Sequence, residues 1–188
     1  MEHLLKDYAA TLQKMLEQVN PTEVALAADI IWRAYLNGNT IYVIGNGGSA
    51  SNASHISCDL GKSTASPHHP RLKVVSVTDN VASITAIAND YCYEDIFMEQ
   101  LKYQCRAGDV VMALSVSGNS PNVVKAVKWA VDQGHPTIAW VGKDGGELYR
   151  LALAPVLFPN MNYGPVEDGH MALTHVLVQY FAKKIAAQ

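Results

Sequence analysis

His55 and Asp59 stand four residues apart, a spacing that puts two side chains on one face of a helix. An imidazole and a carboxylate so placed can share a metal ion or pass a proton. Glu167 and His175 lie eight apart. At about 100° per residue they return to within about 80° of one another, on one stripe two turns apart. Two imidazoles and two carboxylates make a ligand set for a divalent cation, zinc first among them. The plainer alternatives are an i,i+4 hydrogen bond for His55 and Asp59, and favourable charge at a helix start for Glu167-Asp168. His170 falls on the adjacent face, as a supporting partner of the ligands or a subunit contact. Glu167-x-x-His170 also matches the spacing of di-iron bundles, but those need a second such pair in a four-helix bundle, which this chain lacks.

Two glycine- and serine-rich stretches are candidates for holding phosphate. Gly45-Asn46-Gly47-Gly48-Ser49-Ala50 fits the G-x-G-x-x-A form of the dinucleotide fingerprint. That fingerprint needs an acid about 20 positions on to hold a ribose. Here Lys62 to Pro67 contains none, and Asp79 comes well beyond it. A tight glycine turn accounts for part of the loop. The second stretch, Ser115-Val116-Ser117-Gly118-Asn119-Ser120, precedes Pro121-Asn122-Val123. Ser120 before proline reads as a helix N-cap, which leaves Ser115 and Ser117 free where an anion would be drawn. No Gly-Lys-Ser/Thr follows, so this is not the nucleoside-triphosphate loop. A small phosphorylated metabolite fits it better.

The elements that must position these residues follow from the apolar pattern. Leu5, Tyr8, Leu12, Met15 and Val19 form the stripe of an amphipathic helix over 4–19. Asn20-Pro21-Thr22-Glu23 starts a second helix that runs to Leu36 and ends at Asn37-Gly38-Asn39. From there, buried strands over 40–44, 72–77, 109–114, 137–141 and 153–158 alternate with helices over 49–60, 81–106 (broken near Asn89), 121–133 and 146–151. A last helix begins near Pro165. This alternation predicts an α/β fold with a five-stranded parallel sheet covered on both faces. We expect a single domain over 1–188, with a helical pair over 1–38 and the α/β core over 39–188. Two helices before the first strand exceed what such a sheet needs, and we expect them to pack against a second copy of the chain.

Composition removes several classes. In 188 residues, 49% are hydrophobic and 16% charged, which is globular rather than disordered. Net charge is -3 with no basic run, so no nucleic-acid partner is expected. Cys58, Cys92 and Cys105 form no CxxC pair, which argues against a disulfide framework or cysteine-rich zinc site. No apolar run has the length of a membrane span, and the first residues are too polar for a secretory signal. The expected setting is the cytoplasm, away from membranes.

At these stretches the chain resembles the phosphoheptose isomerases, the sedoheptulose 7-phosphate isomerase branch of the SIS (sugar isomerase) domain family. The resemblance spans nearly the whole chain. It is carried by Gly45 to Ser49 with His55 downstream, by Asn89-Asp90 leading to Tyr93-Glu94 and Phe97, and by Ser115 to Ser120. Gly142 to Gly146 and the acid–His–His pattern of the last helix complete it. The resemblance implies that Asn46, Gly47, Gly48, Asn89 and Asp90 hold the sugar and that Ser115, Val116, Ser117 and Ser120 cradle the phosphate. It implies His55, Asp59, Glu167 and His175 as zinc ligands, with Asp59 and Glu167 also on the substrate and Asp59 and His175 as the catalytic acid–base pair.

This chain departs from the family pattern in places. Asp59 stands where the family has Glu, Glu167 where it has Gln, and Val116 where it has Thr. The family arginine after the helical carboxylate is absent, with Lys62 nearby. The implied activity is aldose–ketose isomerisation of sedoheptulose 7-phosphate to D-glycero-D-manno-heptose 7-phosphate, or of a related sugar phosphate, by a homotetramer. His170 or the His68-His69 loop would then reach a neighbour's site. The alternative is a non-catalytic sugar-phosphate-binding or regulatory SIS protein, such as a paralogue that assists a replication initiator. A pure binder has no use for the four ligand residues together.

Overall fold

The computed structural model describes residues 1–188 and contains five parallel strands in the order β2-β1-β3-β4-β5. These are β1 (Thr40–Gly45), β2 (Lys73–Ser76), β3 (Val110–Ser115), β4 (Thr137–Val141) and β5 (Ala154–Leu157). Central β1 and β3 pair from Ile41↔Val110 to Gly45↔Leu114 and read as unbroken apolar runs because both their faces are covered. Pro155, with no N–H to donate, lies in edge strand β5, where one side needs no partner.

The helices divide between the two faces. Pro21–Asn37 (α2), Gly48–Ser63 (α3) and Tyr163–Ala186 (α8) cover one face, and Glu2–Gln18 (α1) packs outside α8. Their shared core includes Met15, Ile31, Ile56, Phe158 and Phe181. On the other face, α5 (Met98–Gln104), α6 (Pro121–Asp132) and α7 (Gly146–Leu151) pack over Phe97, Leu101, Val123 and Leu148. α4 (Val81–Asp90) lies at the rim of this layer with no buried residue of its own. The expected helix over 81–106 is thus broken after Asp90, and a 3₁₀ turn at Tyr93–Asp95 separates α4 from α5.

The strand order reverses between β1 and β3. α3 leaves β1 toward one face and α6 leaves β3 toward the other, so their loops part and open a crevice at the carboxyl ends of the strands. That is where ligands bind in open α/β sheets. Both glycine- and serine-rich stretches fall there.

The N-terminal pair differs from the expected pattern in two respects. Asn20 Oδ1 accepts the Thr22 N–H at 2.9 Å, as an N-cap should. Glu23, three residues on, does not turn back to complete a capping box. Its carboxylate takes the Tyr149 hydroxyl at 2.6 Å and the Leu157 N–H at 3.0 Å, pinning α2 to α7 and β5. In α1 only Met15 of the apolar stripe is fully buried, while Leu4 and Leu5 lie in the open. No helix is long and apolar enough to cross a membrane.

Candidate active site

Three of the four proposed ligand residues converge. α3 presents His55 and Asp59 on one face, and α8 brings His175 to them. His55 Nε2 lies 3.0 Å from Asp59 Oδ2. His175 Nε2 lies 3.7 Å from the same oxygen and 3.4 Å from His55 Nε2. A tetrahedral zinc with bonds of about 2.0–2.1 Å has ligand atoms about 3.3–3.4 Å apart, close to this triangle. Two neutral imidazoles and a carboxylate are also the right donors, so the residues fit a divalent cation. Both histidines are exposed, and the site faces outward.

Glu167 does not join these three. It lies eight residues before His175, about 12 Å along a helix axis, so a shared stripe does not by itself give a shared ion. Its carboxylate lies against Gly48, where a Cβ would overlap it, and its backbone carbonyl accepts from Asn52 Nδ2 at 2.9 Å. Glycine at position 48 is what admits this carboxylate to the start of α3. Burial, and then the neighbouring Asp168, raises the Glu167 pKa. Asp168 in turn accepts the Tyr8 hydroxyl from α1, and burial together with that bond pushes the tyrosine up to about 12.

His170 corrects an expectation. It points into the core with 0% exposure, its ring 4.7 Å from Phe158 and 5.9 Å from Trp140, and it cannot reach a neighbouring subunit. α8 rotates by about 300° over three residues, which turns position 170 inward relative to Glu167. Neither ring nitrogen has a hydrogen-bond partner, and burial pulls its pKa down to about 3.

The second half of the site is the loop from β3 to α6. The Ser115 hydroxyl lies 3.5 Å from those of Ser117 and Ser120, so the three form one cluster. Ser120 is the N-cap by backbone position, but its side chain makes no capping bond and stays available to a ligand. Val116 is buried in the main core, so only its backbone can serve an anion. Gly118 has φ +65°, and a Cβ there would overlap the Gly145 carbonyl. The loop is braced against the next one by Leu148 N–H donating to the Gly118 carbonyl at 3.0 Å and Glu147 N–H to Asn119 Oδ1 at 2.8 Å.

The residues expected to hold the sugar come from two segments. Asn46, Gly47 and Gly48 follow β1, with Gly47 in the left-handed region at φ +55°. Asn89 and Asp90 end α4, exposed and joined by an Asn89 Nδ2 bond to Asp90 Oδ1 at 2.9 Å. Asn122, to which the sequence assigned no role, pairs its carboxamide with that of Asn46. The available signal was that both asparagines follow the strands flanking the reversal in strand order.

Hydroxyls at a helix start, a glycine turn beside them, and an acid–imidazole cluster along α3 are the features expected of a domain that grips a small phosphorylated ligand and moves its protons. The SIS domain model matches residues 5–142. A phosphoheptose isomerase of Trichlorobacter lovleyi is 36% identical over 92% of this chain and 87% of its own length. The structure of phosphoheptose isomerase from Neisseria gonorrhoeae superposes with a TM-score of 0.86 at 29% identity, covering 97% of this chain and 98% of that one. That of the Francisella tularensis phosphoheptose isomerase gives 0.88 at 25% identity, covering 97% and 96%. The chain belongs to the phosphoheptose isomerases of the SIS domain family.

Proposed function

We propose that the protein interconverts sedoheptulose 7-phosphate and D-glycero-D-manno-heptose 7-phosphate. The convergence of His55, Asp59 and His175 supports this most, because a domain that only binds sugar phosphate has no need of it. Length supports a heptose as well. His55 follows Gly48 by seven residues, about 10 Å along the helix, so a ligand gripped at both places must be long.

Isomerisation moves a proton between adjacent carbons through an enediol. A base removes the proton from the carbon beside the carbonyl while an acid protonates the carbonyl oxygen; the steps then reverse on the neighbouring carbon. Asp59 and His175 are the acid–base pair, 3.7 Å apart. Ser115, Ser117 and Ser120 hold the phosphate, with the backbone of Val116. Asn46, Gly47, Gly48, Asn89, Asp90 and Glu167 surround the sugar. Fixing the phosphate end uses binding energy to align the reacting end. His55, Asp59 and His175 would hold a divalent metal, zinc by donor type, with Glu167 the fourth ligand that the family resemblance implies. Such an ion supplies Lewis-acid polarisation of the carbonyl and hydroxyl oxygens.

The working unit is a homotetramer of this single SIS domain. Leu4 and Leu5 on α1, and Val176 and Tyr180 on α8, are exposed apolar side chains, which a second copy would cover. Incubation of the purified protein with sedoheptulose 7-phosphate should yield the aldose phosphate. Metal analysis without chelator should find about one divalent ion per chain, since three converging protein ligands already make the usual set of a catalytic zinc site. Absence of turnover would reject the isomerase reading. A metal-free protein that stays active in EDTA would reject the metal alone, and a stable monomer in sedimentation would reject the tetramer.

A further inference from the structure

The two loops of the crevice are tied together by a pair of side chains. Asn46 Nδ2 donates to Asn122 Oδ1 and Asn122 Nδ2 donates to Asn46 Oδ1, each at 2.8 Å. Asn122 is only 2% exposed, and its Oδ1 also accepts the Val123 N–H at 3.0 Å, which sets its orientation from the helix side. Asn46 Oδ1 takes a second donor, the Tyr93 hydroxyl, at 3.3 Å. Tyr93 opens the 3₁₀ turn that follows Asn89 and Asp90. Three segments of the site therefore meet on one carboxamide.

A ring closed by two amide hydrogen bonds fixes both distance and angle. One end of this ring stands on α6, two residues after Ser120 of the phosphate cradle. The other stands beside Gly47 and Gly48 of the sugar loop. We propose that Asn122 is a positioning residue which, with Tyr93, holds Asn46 and the sugar loop at the separation from the phosphate cradle that a bound sugar phosphate requires. This role rests on the isomerase reading above. Asn122 acts through Asn46, so its loss should disturb alignment of the sugar more than capture of the phosphate. A misplacement of about 1 Å can lower a rate about a hundredfold.

The test measures turnover of sedoheptulose 7-phosphate beside competitive inhibition by inorganic phosphate. Asn122→Ala should lower kcat by about 10- to 100-fold. Its inhibition constant for inorganic phosphate should change less than about threefold, since the three serines remain. In a double-mutant cycle with Asn46→Ala, the double variant should fall no more than about twofold below the worse single one, because the two amides act as a unit. Tyr93→Phe, on an exposed residue, should lower kcat by about threefold with phosphate inhibition unchanged.

If Asn122→Ala does not fold, Asn122→Asp replaces it. That variant keeps the acceptor for Val123 and Asn46 while removing the donor to Asn46 Oδ1, and it should lose about tenfold in kcat. An unimpaired Asn122 variant, multiplicative losses in the cycle, or equal losses of turnover and phosphate affinity would each overturn the role while leaving the isomerase reading in place. An inactive wild-type protein would overturn both.

Discussion

The hydroxyl loop after β3 is held from several sides by its own chain, whereas the histidine pair of α3 and α8 stands half in solvent. Ser115 and Gly118 are buried, Asn119 and Gly118 are bonded to α7, and a Cβ at Gly118 would strike the Gly145 carbonyl. His55 and His175 are exposed, and their contacts run to Asp59 and to each other. A phosphate is the same at either end of the reaction, so a loop fixed in advance would suit the phosphate-holding role proposed for it. The reacting carbons change shape and charge, and the groups that serve them need room, protons and a covering surface. The difference also separates what each region contributes. Changes at the outward cluster should remove chemistry and spare the fold, while in the serine loop changes of the hydroxyls should affect binding and changes of its glycine turn should affect stability.

The largest effect is expected at the outward cluster. His175→Ala and Asp59→Ala should each lower turnover by about 10²- to 10⁴-fold, the range of a lost acid or base. Thermal unfolding of metal-depleted His175→Ala should stay close to the parent, since exposed positions tolerate truncation within about 0.5 kcal/mol. A large loss of stability with activity retained would exchange the roles of the two regions.

Gly118→Ala comes next. The left-handed φ and the overlap with Gly145 should cost about 2–4 kcal/mol in denaturant unfolding, an effect the open cluster cannot show. Ser117→Ala together with Ser120→Ala should weaken sugar-phosphate binding by about tenfold or more, from a donor loss of about 1–3 kcal/mol, with unfolding little changed. Calorimetric titration with the substrate checks this. An unchanged dissociation constant would remove the loop from the site.

At neutral pH the smallest effect comes from His170, which sharpens the contrast from inside the core. Burial holds its pKa at about 3 in the folded chain, against 6.5 for the free group. The folded protein keeps this ring neutral, while the unfolded chain takes up a proton below pH 6.5. Its contribution is therefore fully present above that value and falls as the pH drops toward about 3, by about 1.4 kcal/mol per pH unit. His170→Phe should flatten the decline in stability between pH 6.5 and pH 5 relative to the parent. Parallel unfolding curves for the two proteins would show that His170 is solvated and titrates normally.

Much of this was legible in the residue pattern. Unbroken apolar runs such as Val110 to Leu114 marked the buried parallel strands, and Asn20-Pro21 marked the start of α2. The i,i+4 pair His55 and Asp59 was readable because a helix enforces that geometry locally. The eight-residue pair Glu167 and His175 could be read only as a shared stripe, since angular position says nothing about the 12 Å or so of rise between them. Ser120 looked like a cap by type and place, but whether its hydroxyl turns to the helix depends on its neighbours Ser115 and Ser117. Asn122 and His170 were missed or misplaced for a related reason. Which way a helical residue faces is decided by tertiary packing, and the partners lie 76 residues away for Asn122 and on β4 and beyond β5 for His170.

The central claim is that this chain moves a proton between adjacent carbons of a phosphorylated heptose. The direct measurement is nuclear magnetic resonance of sedoheptulose 7-phosphate incubated with the metal-loaded protein in D₂O. Formation of the aldose phosphate with deuterium entering at C2 is expected, with loss of both product and label in His175→Ala. Product without deuterium would mean a proton returned by one shielded side chain or a hydride shift, and no product at all would contradict the isomerase.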